Sequence, residues 1–130
     1  MIGLDTNVLV RYLVTDDLVQ AKKATRLIEG AVSKGDKFFI NTIVLCELAW
    51  VLSAAYDYPK AIIIETLEKI LMTQQFEIED KATVRQALDQ FKTSSADFSD
   101  CLLSSRNLAL GCTVTASFDK RFTSLSQMVL

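Results

Sequence analysis

Met1-Ile2-Gly3-Leu4-Asp5-Thr6-Asn7-Val8-Leu9-Val10-Arg11-Tyr12-Leu13 is the stretch that decides the fold. The apolar run from Ile2 to Leu4 reads as a buried strand. It stops at Asp5, and a second apolar pattern at helical spacing (Val8, Leu9, Tyr12, Leu13) begins at once. Asp5 therefore stands where the carboxyl end of a strand meets the amino end of a helix. In open α/β sheets, ligands bind outside that edge.

Outward from this unit, strands and helices alternate. After a helix over residues 7–14, Thr15-Asp16-Asp17 reads as a stop and a new N-cap. A helix over 18–33 places Leu18, Ala21, Ala24, Thr25, Leu27 and Ile28 inward, with Lys22, Lys23 and Arg26 on the rest. Lys37 to Ile40 is a strand, Asn41 or Thr42 caps an apolar helix over 43–56, and Pro59 suits the first turn of a helix to Met72. Phe76 to Ile78 is a short strand. Asp80 caps a helix to Lys92 with Ala82, Val84, Ala87, Leu88 and Phe91 inward. Asp97 opens a helix over 98–110 that Gly111 ends. Cys112 to Thr115 reads as a buried strand, Ser117-Phe118-Asp119 as a loop, and the tail from Gln127 to Leu130 as a last strand. This order predicts one α/β domain over residues 1–130, with a mostly parallel sheet and helices on both faces.

Composition narrows the chemistry. Half of the 130 residues are apolar and 23% are charged, as in a soluble globular chain, and no stretch suits a membrane span. No basic region precedes Ile2, so no signal peptide is expected. Cys46, Cys101 and Cys112 lack CxxC spacing and are expected to be reduced core thiols in a cytoplasmic protein. The chain has no histidine, which removes Ser-His-Asp triads, Cys-His dyads and a conventional zinc site. With glycine only at 3, 30, 35 and 111, neither GxxxxGK[ST] nor GxGxxG can be written. The net charge of −2 offers no global attraction for nucleic acid, so such a partner needs local basic patches or metal ions.

Carboxylates remain. Glu47 has Ile43, Val44, Trp50 and Val51 three and four positions away, and a carboxylate embedded there is costly to desolvate unless paired. The plainer reading is a glutamate at the rim of the buried face. Asp5 could simply cap its helix, Asp119 could make a turn, and Asp97 with Asp100 at N3 could serve only the helix amino end. Taken together, these positions can face one carboxyl edge, where mutual repulsion calls for a cation. Oxygen donors without imidazole or thiolate suit Mg²⁺ or Mn²⁺, ions that can activate water and stabilise charge at a phosphodiester. Thr6, Asn7 and Ser117 are hydrogen-bonding neighbours able to orient the acids. Arg11, Lys120 and Arg121 are the basic candidates for phosphate contact, each more often simply a solvated charge.

Four segments then resemble one family. Asp5-Thr6-Asn7-Val8-Leu9 resembles the opening motif of PIN-domain proteins, and Cys46-Glu47-Leu48 the second. Asp97-Phe98-Ser99-Asp100-Cys101-Leu102-Leu103 resembles the third, and Ser117-Phe118-Asp119-Lys120-Arg121-Phe122 the fourth, with Ser117 where threonine is common. In size the chain is similar to the single-domain VapC-type toxins of prokaryotic toxin–antitoxin pairs. The resemblance implies a PIN-like three-layer sandwich and a Mg²⁺- or Mn²⁺-dependent endoribonuclease that forms a homodimer and is blocked by a small antitoxin. It assigns Asp5, Glu47, Asp100 and Asp119 as the acidic quartet, with Asp97 auxiliary. The competing reading is a catalytically silent binding or regulatory module on the same fold. A receiver domain would want an acidic pair after the first strand, and a haloacid-dehalogenase-type phosphatase an acid where Asn7 stands; both fall behind.

Overall fold

A computed structural model describes residues 1–121 and 125–130; Phe122, the last residue of the fourth motif, lies outside the described residues. The chain divides into two compact units, Met1–Glu79 and Asp80–Leu130. Among the described residues there are six helices, and every strand pair is parallel. The expected parallel α/β architecture is therefore present, with a three-stranded sheet in the first unit and a two-stranded one in the second.

In the first unit, strands β1 (Ile2–Gly3), β2 (Phe38–Ile40) and β3 (Phe76–Ile78) lie in the order β1-β2-β3. Phe38 pairs with Ile2 on one side and Phe76 on the other. Phe38 and Ile40 of the middle strand are wholly buried. Helix α1 (Thr6–Leu13) packs on α2 (Leu18–Val32) and α3 (Thr42–Ala54), and α3 packs on α4 (Lys60–Met72). Side chains fix the helix starts. Asp17 Oδ1 accepts the Gln20 N–H at 3.0 Å and Asn41 Oδ1 the Ile43 N–H at 2.8 Å. Leu9, Ile28, Leu45, Leu48, Leu52 and Leu67 are buried in this unit.

The second unit contains α5 (Lys81–Thr93) packed on α6 (Phe98–Ala109), and β4 (Thr115–Ser117) paired with β5 (Gln127–Val129). Phe91 and Phe98 meet edge to face, their ring centroids 5.9 Å apart, and Leu88 and Cys101 are buried.

Several expectations need correction. Ile2 is 48% exposed, because β1 is an outer strand of its three-stranded sheet. The buried stripe of α2 is Ala21, Ala24, Ile28 and Ala31, narrow enough to leave Leu18 and Leu27 exposed. On α5, Thr83 is buried and Ala82 exposed. Cys112 is an exposed thiol and Cys46 a half-buried one; only Cys101 is in the core. The strand expected at Cys112 starts at Thr115 instead. Gly111 turns the chain at φ +103°, and the Cys112 N–H is still held by the Asn107 carbonyl at 2.9 Å, so pairing begins only later.

At the end of α3, Tyr56 N–H donates to Val51 O at 3.3 Å and Tyr58 N–H to Leu52 O at 2.9 Å. Asp57 between them is left-handed, at φ +54°. Aspartate tolerates that region, whereas β-branched residues do not. Urea denaturation of Asp57→Gly is expected to leave stability within about 1 kcal/mol of the unsubstituted protein. Asp57→Val is expected to lower it by about 1–3 kcal/mol.

Candidate active site

In the first unit, the opening motif folds as a strand–cap–helix junction. Asp5 is the N-cap of α1, its Oδ1 accepting the Thr6 N–H at 2.8 Å. Thr6 is buried, and its hydroxyl donates to Glu47 Oε2 at 3.0 Å. That bond ties the first motif to the second across two helices. A groove of about 350 Å³ runs beside it, lined by Asp5, Thr6 and Asn7 and by Arg11 and Tyr56.

Glu47 lines the same groove as Asp5, but it is not embedded as the sequence suggested. It is exposed, because Ile43 (65% exposed) and Trp50 (69%) share its outward face. Helix α3 buries Val44, Leu45, Leu48 and Leu52 instead, so Glu47 is not embedded among apolar groups.

Arg11, expected to contact RNA, is held by three groups. Its Nε donates to Gln20 Oε1 at 2.6 Å, and its Nη1 to Asp16 Oδ1 at 3.1 Å and to Tyr56 Oη at 3.2 Å. The Tyr56 hydroxyl in turn donates to Asp16 Oδ2 at 2.9 Å. That bond, foremost, holds the Asp16 carboxyl below its ordinary value and raises the Tyr56 hydroxyl. Sequence reasoning missed Tyr56, since no spacing singles it out after an apolar helix. It also missed Glu79, the residue after β3. One Glu79 oxygen accepts from the Thr42 N–H at 3.0 Å and the Thr42 hydroxyl at 2.8 Å, fastening the start of α3 to the end of β3.

In the second unit, Asp97 and Asp100 form the capping box that opens α6, with Asp100 Oδ2 accepting the Asp97 N–H at 3.4 Å. Asp119 follows β4, and its N–H donates to Ser117 Oγ at 3.0 Å, so the hydroxyl shapes the turn that presents the carboxylate. Arg121 then gathers three acids. Its Nη2 lies 2.6 Å from Asp119 Oδ2 and 3.6 Å from Asp100 Oδ2, and its Nη1 lies 3.1 Å from Asp97 Oδ2. Lys120 is exposed.

The charges follow this geometry. Arg121's side chain, then its N–H, hold the Asp119 carboxyl below the usual carboxylate range. Asp100 is raised, mainly by burial and further by the neighbouring Asp97 and Asp119, against the opposing pull of the Asp97 N–H and Arg121. The Asp119 hydrogen bonds and the surrounding acids raise Arg121 in turn. Among the described residues no three acids close around one point as metal ligands. Yet three of them share a single cation, the guanidinium. A donor set made entirely of carboxylate oxygens fits Mg²⁺ or Mn²⁺ in kind.

The comparisons agree with the motifs. The sequence model of the PIN domain family matches residues 2–127. The chain is 30% identical over 122 residues to the "VapC ribonuclease" of Aquifex aeolicus (strain VF5), covering 94% of this chain and 90% of that protein.

Arg121→Gln is expected to raise the carboxyl pKa of both Asp119 and Asp100, read by carboxyl-carbon NMR titration. Asp119 moves more, because it loses its principal hydrogen bonds and keeps the backbone one (2.9 Å). The signs in stability are opposite. Asp119's lowered value contributes stability that is lost as pH falls through it. Asp100's raised value costs stability as pH rises from the unfolded value through the folded one. An Asp119 carboxyl unchanged by the substitution would refute the ion pair.

Proposed function

Because the chain belongs to the PIN domain family, we propose that it is a Mg²⁺- or Mn²⁺-dependent endoribonuclease that hydrolyses RNA phosphodiester bonds as the toxin of a VapBC-like pair. The observation that carries this reading is the gathering of Asp97, Asp100 and Asp119 around one guanidinium, which supports reading them as a cation-binding group. The Thr6–Glu47 bond supports the same assignment for the first two motifs.

Asp5, Glu47, Asp97, Asp100 and Asp119 are the proposed ligands, with Asp5, Glu47, Asp100 and Asp119 the catalytic quartet. When bound, the cation supplies positive charge at the phosphodiester and a more acidic water. The remaining tasks belong to the chain. Thr6 orients Glu47, Ser117 shapes the turn before Asp119, and Asn7 adds a polar wall to the groove. Arg11, Lys120 and Arg121 are the proposed RNA contacts.

A cytoplasmic location, a homodimer and an antitoxin encoded beside the gene complete the proposal. No helix among the described residues is long and apolar enough to cross a membrane. Ile43 and Trp50 on α3, and Ile62 and Met72 on α4, leave apolar area exposed where a second copy or the antitoxin could dock. The alternative is the silent binding module. It is favoured by the structural work the acids already do, since Asp5 and the Asp97–Asp100 pair cap helices.

Cleavage of a structured RNA pool decides between them. Expected is cleavage with Mg²⁺ or Mn²⁺, none with chelator, and a loss of about 100-fold or more in both Asp5→Asn and Asp100→Asn. A folded, antitoxin-free protein that cuts no RNA class and binds no metal is the silent module. Separately, Ile43→Glu with Trp50→Glu is expected to shift a dimer toward monomer in sedimentation equilibrium. An unchanged dimer would move its interface elsewhere.

A further inference from the structure

The groove between α1 and α3 carries both signs of charge. Asp5 and Glu47 line it together with the hydrogen-bonded Arg11–Tyr56 pair, and Val10, Val51 and Ala55 add apolar wall. At about 1.5 Å per residue, Thr6 and Arg11 are about 7.5 Å apart along α1, the order of one nucleotide step of an extended strand. The volume, about 350 Å³, lies at the small end of ligand sites and suits one nucleotide.

Arg11 is prepared for an anion there. Gln20, Asp16 and Tyr56 engage its Nε and Nη1, which fixes the plane of the guanidinium. Its Nη2 makes no hydrogen bond among the described residues. Asp16 offsets part of the guanidinium charge from the Nη1 side, one oxygen meeting Nη1 and the other the Tyr56 hydroxyl, and leaves Nη2 as the open donor. The half-buried Tyr56 ring is held in place by that hydroxyl and by the turn after α3. An aromatic ring beside an apolar wall and a fixed guanidinium is the combination that takes an unpaired base together with its phosphate.

Resting on the ribonuclease reading, we propose that this groove is the subsite for the nucleotide next to the scissile phosphate. Arg11 Nη2 takes the flanking phosphate, and Tyr56, with Val10 and Val51, takes the base. Tyr56 thereby becomes both a positioning residue for Arg11 and a stacking surface.

The test uses the full chain carrying Asp100→Asn, so that RNA is bound without being cut. A fluorescein-labelled single-stranded RNA 10-mer of mixed sequence is titrated by anisotropy over a range of salt (the length is on the order of a single-strand binding site). Tyr56→Ala is expected to weaken binding about 10-fold and, since it also releases Arg11, to flatten the salt slope by no more than Arg11→Gln does. Tyr56→Leu, which keeps apolar bulk, serves if Tyr56→Ala misfolds and is expected to show the same loss. Arg11→Gln is expected to flatten the slope of log K against log salt by about 0.7, the share of one phosphate on a single strand. A folded tyrosine variant with undiminished affinity, or an unchanged slope for Arg11→Gln, overturns the subsite. Where that happens while the protein without Asp100→Asn still cuts RNA, the ribonuclease reading survives and only the subsite falls. Failure to bind or cut RNA overturns both.

Discussion

Parallel pairing of β1, β2 and β3 is the constraint on which the first unit depends. Every strand in such a sheet must be followed by a return connection, so each strand-to-helix junction of the sheet falls on the same edge. Asp5 stands two residues past β1, and Asn41 and Glu79 directly follow β2 and β3; all three are polar groups engaged with helix starts. The Thr6–Glu47 bond follows from that placement. It needs α1 and α3 side by side, as the helical returns of parallel strands place them here. Within this unit, Asp5 and Glu47 are thus brought to one groove by topology.

How legible this was varied with the kind of signal. The strand–cap–helix reading of the opening residues, the N-caps at Asp17, Asn41 and Asp97, and the helix stop at Gly111 are local chemistry, and local chemistry is written in the sequence. Which face of a helix is covered is not local. Leu18 and Leu27 look like core residues by type, but α2 presents a narrow stripe of alanines and Ile28 to its neighbour. The reading of Glu47 failed in the same way. Its apolar neighbours at three and four positions include two, Ile43 and Trp50, that are themselves outside. An apolar helix with too many apolar residues for one face does not reveal which of them are left over.

The basic residues show a further limit. Arg11 and Arg121 are both candidates for phosphate contact by sequence, and both are already engaged by acids within their own units. Their engagements differ. Arg11 is fixed at Nε and Nη1 by neutral and acidic partners, and its Nη2 is unbonded among the described residues. Arg121 is a shared counter-ion, bound through both terminal nitrogens to Asp97, Asp100 and Asp119. Charge at a position is visible in a sequence; the direction in which that charge is available is set by partners as distant as Tyr56 is from Arg11.

Helix capping by these acids is compatible with the cation-binding role proposed for them. Asp5 uses Oδ1 for the Thr6 N–H, and the Asp97–Asp100 box uses one Asp100 oxygen for the Asp97 N–H. A carboxylate has about four acceptor positions, so one bond to a backbone donor leaves most of its capacity. Capping also holds the side chain in place, which lowers the cost of bringing several negative groups toward one cation. Asp100 carries the clearest mark of this tension. Its carboxyl is raised by burial and by two neighbouring acids while the Asp97 N–H and Arg121 oppose the rise. In that position a cation is needed, and in this structure Arg121 meets that need.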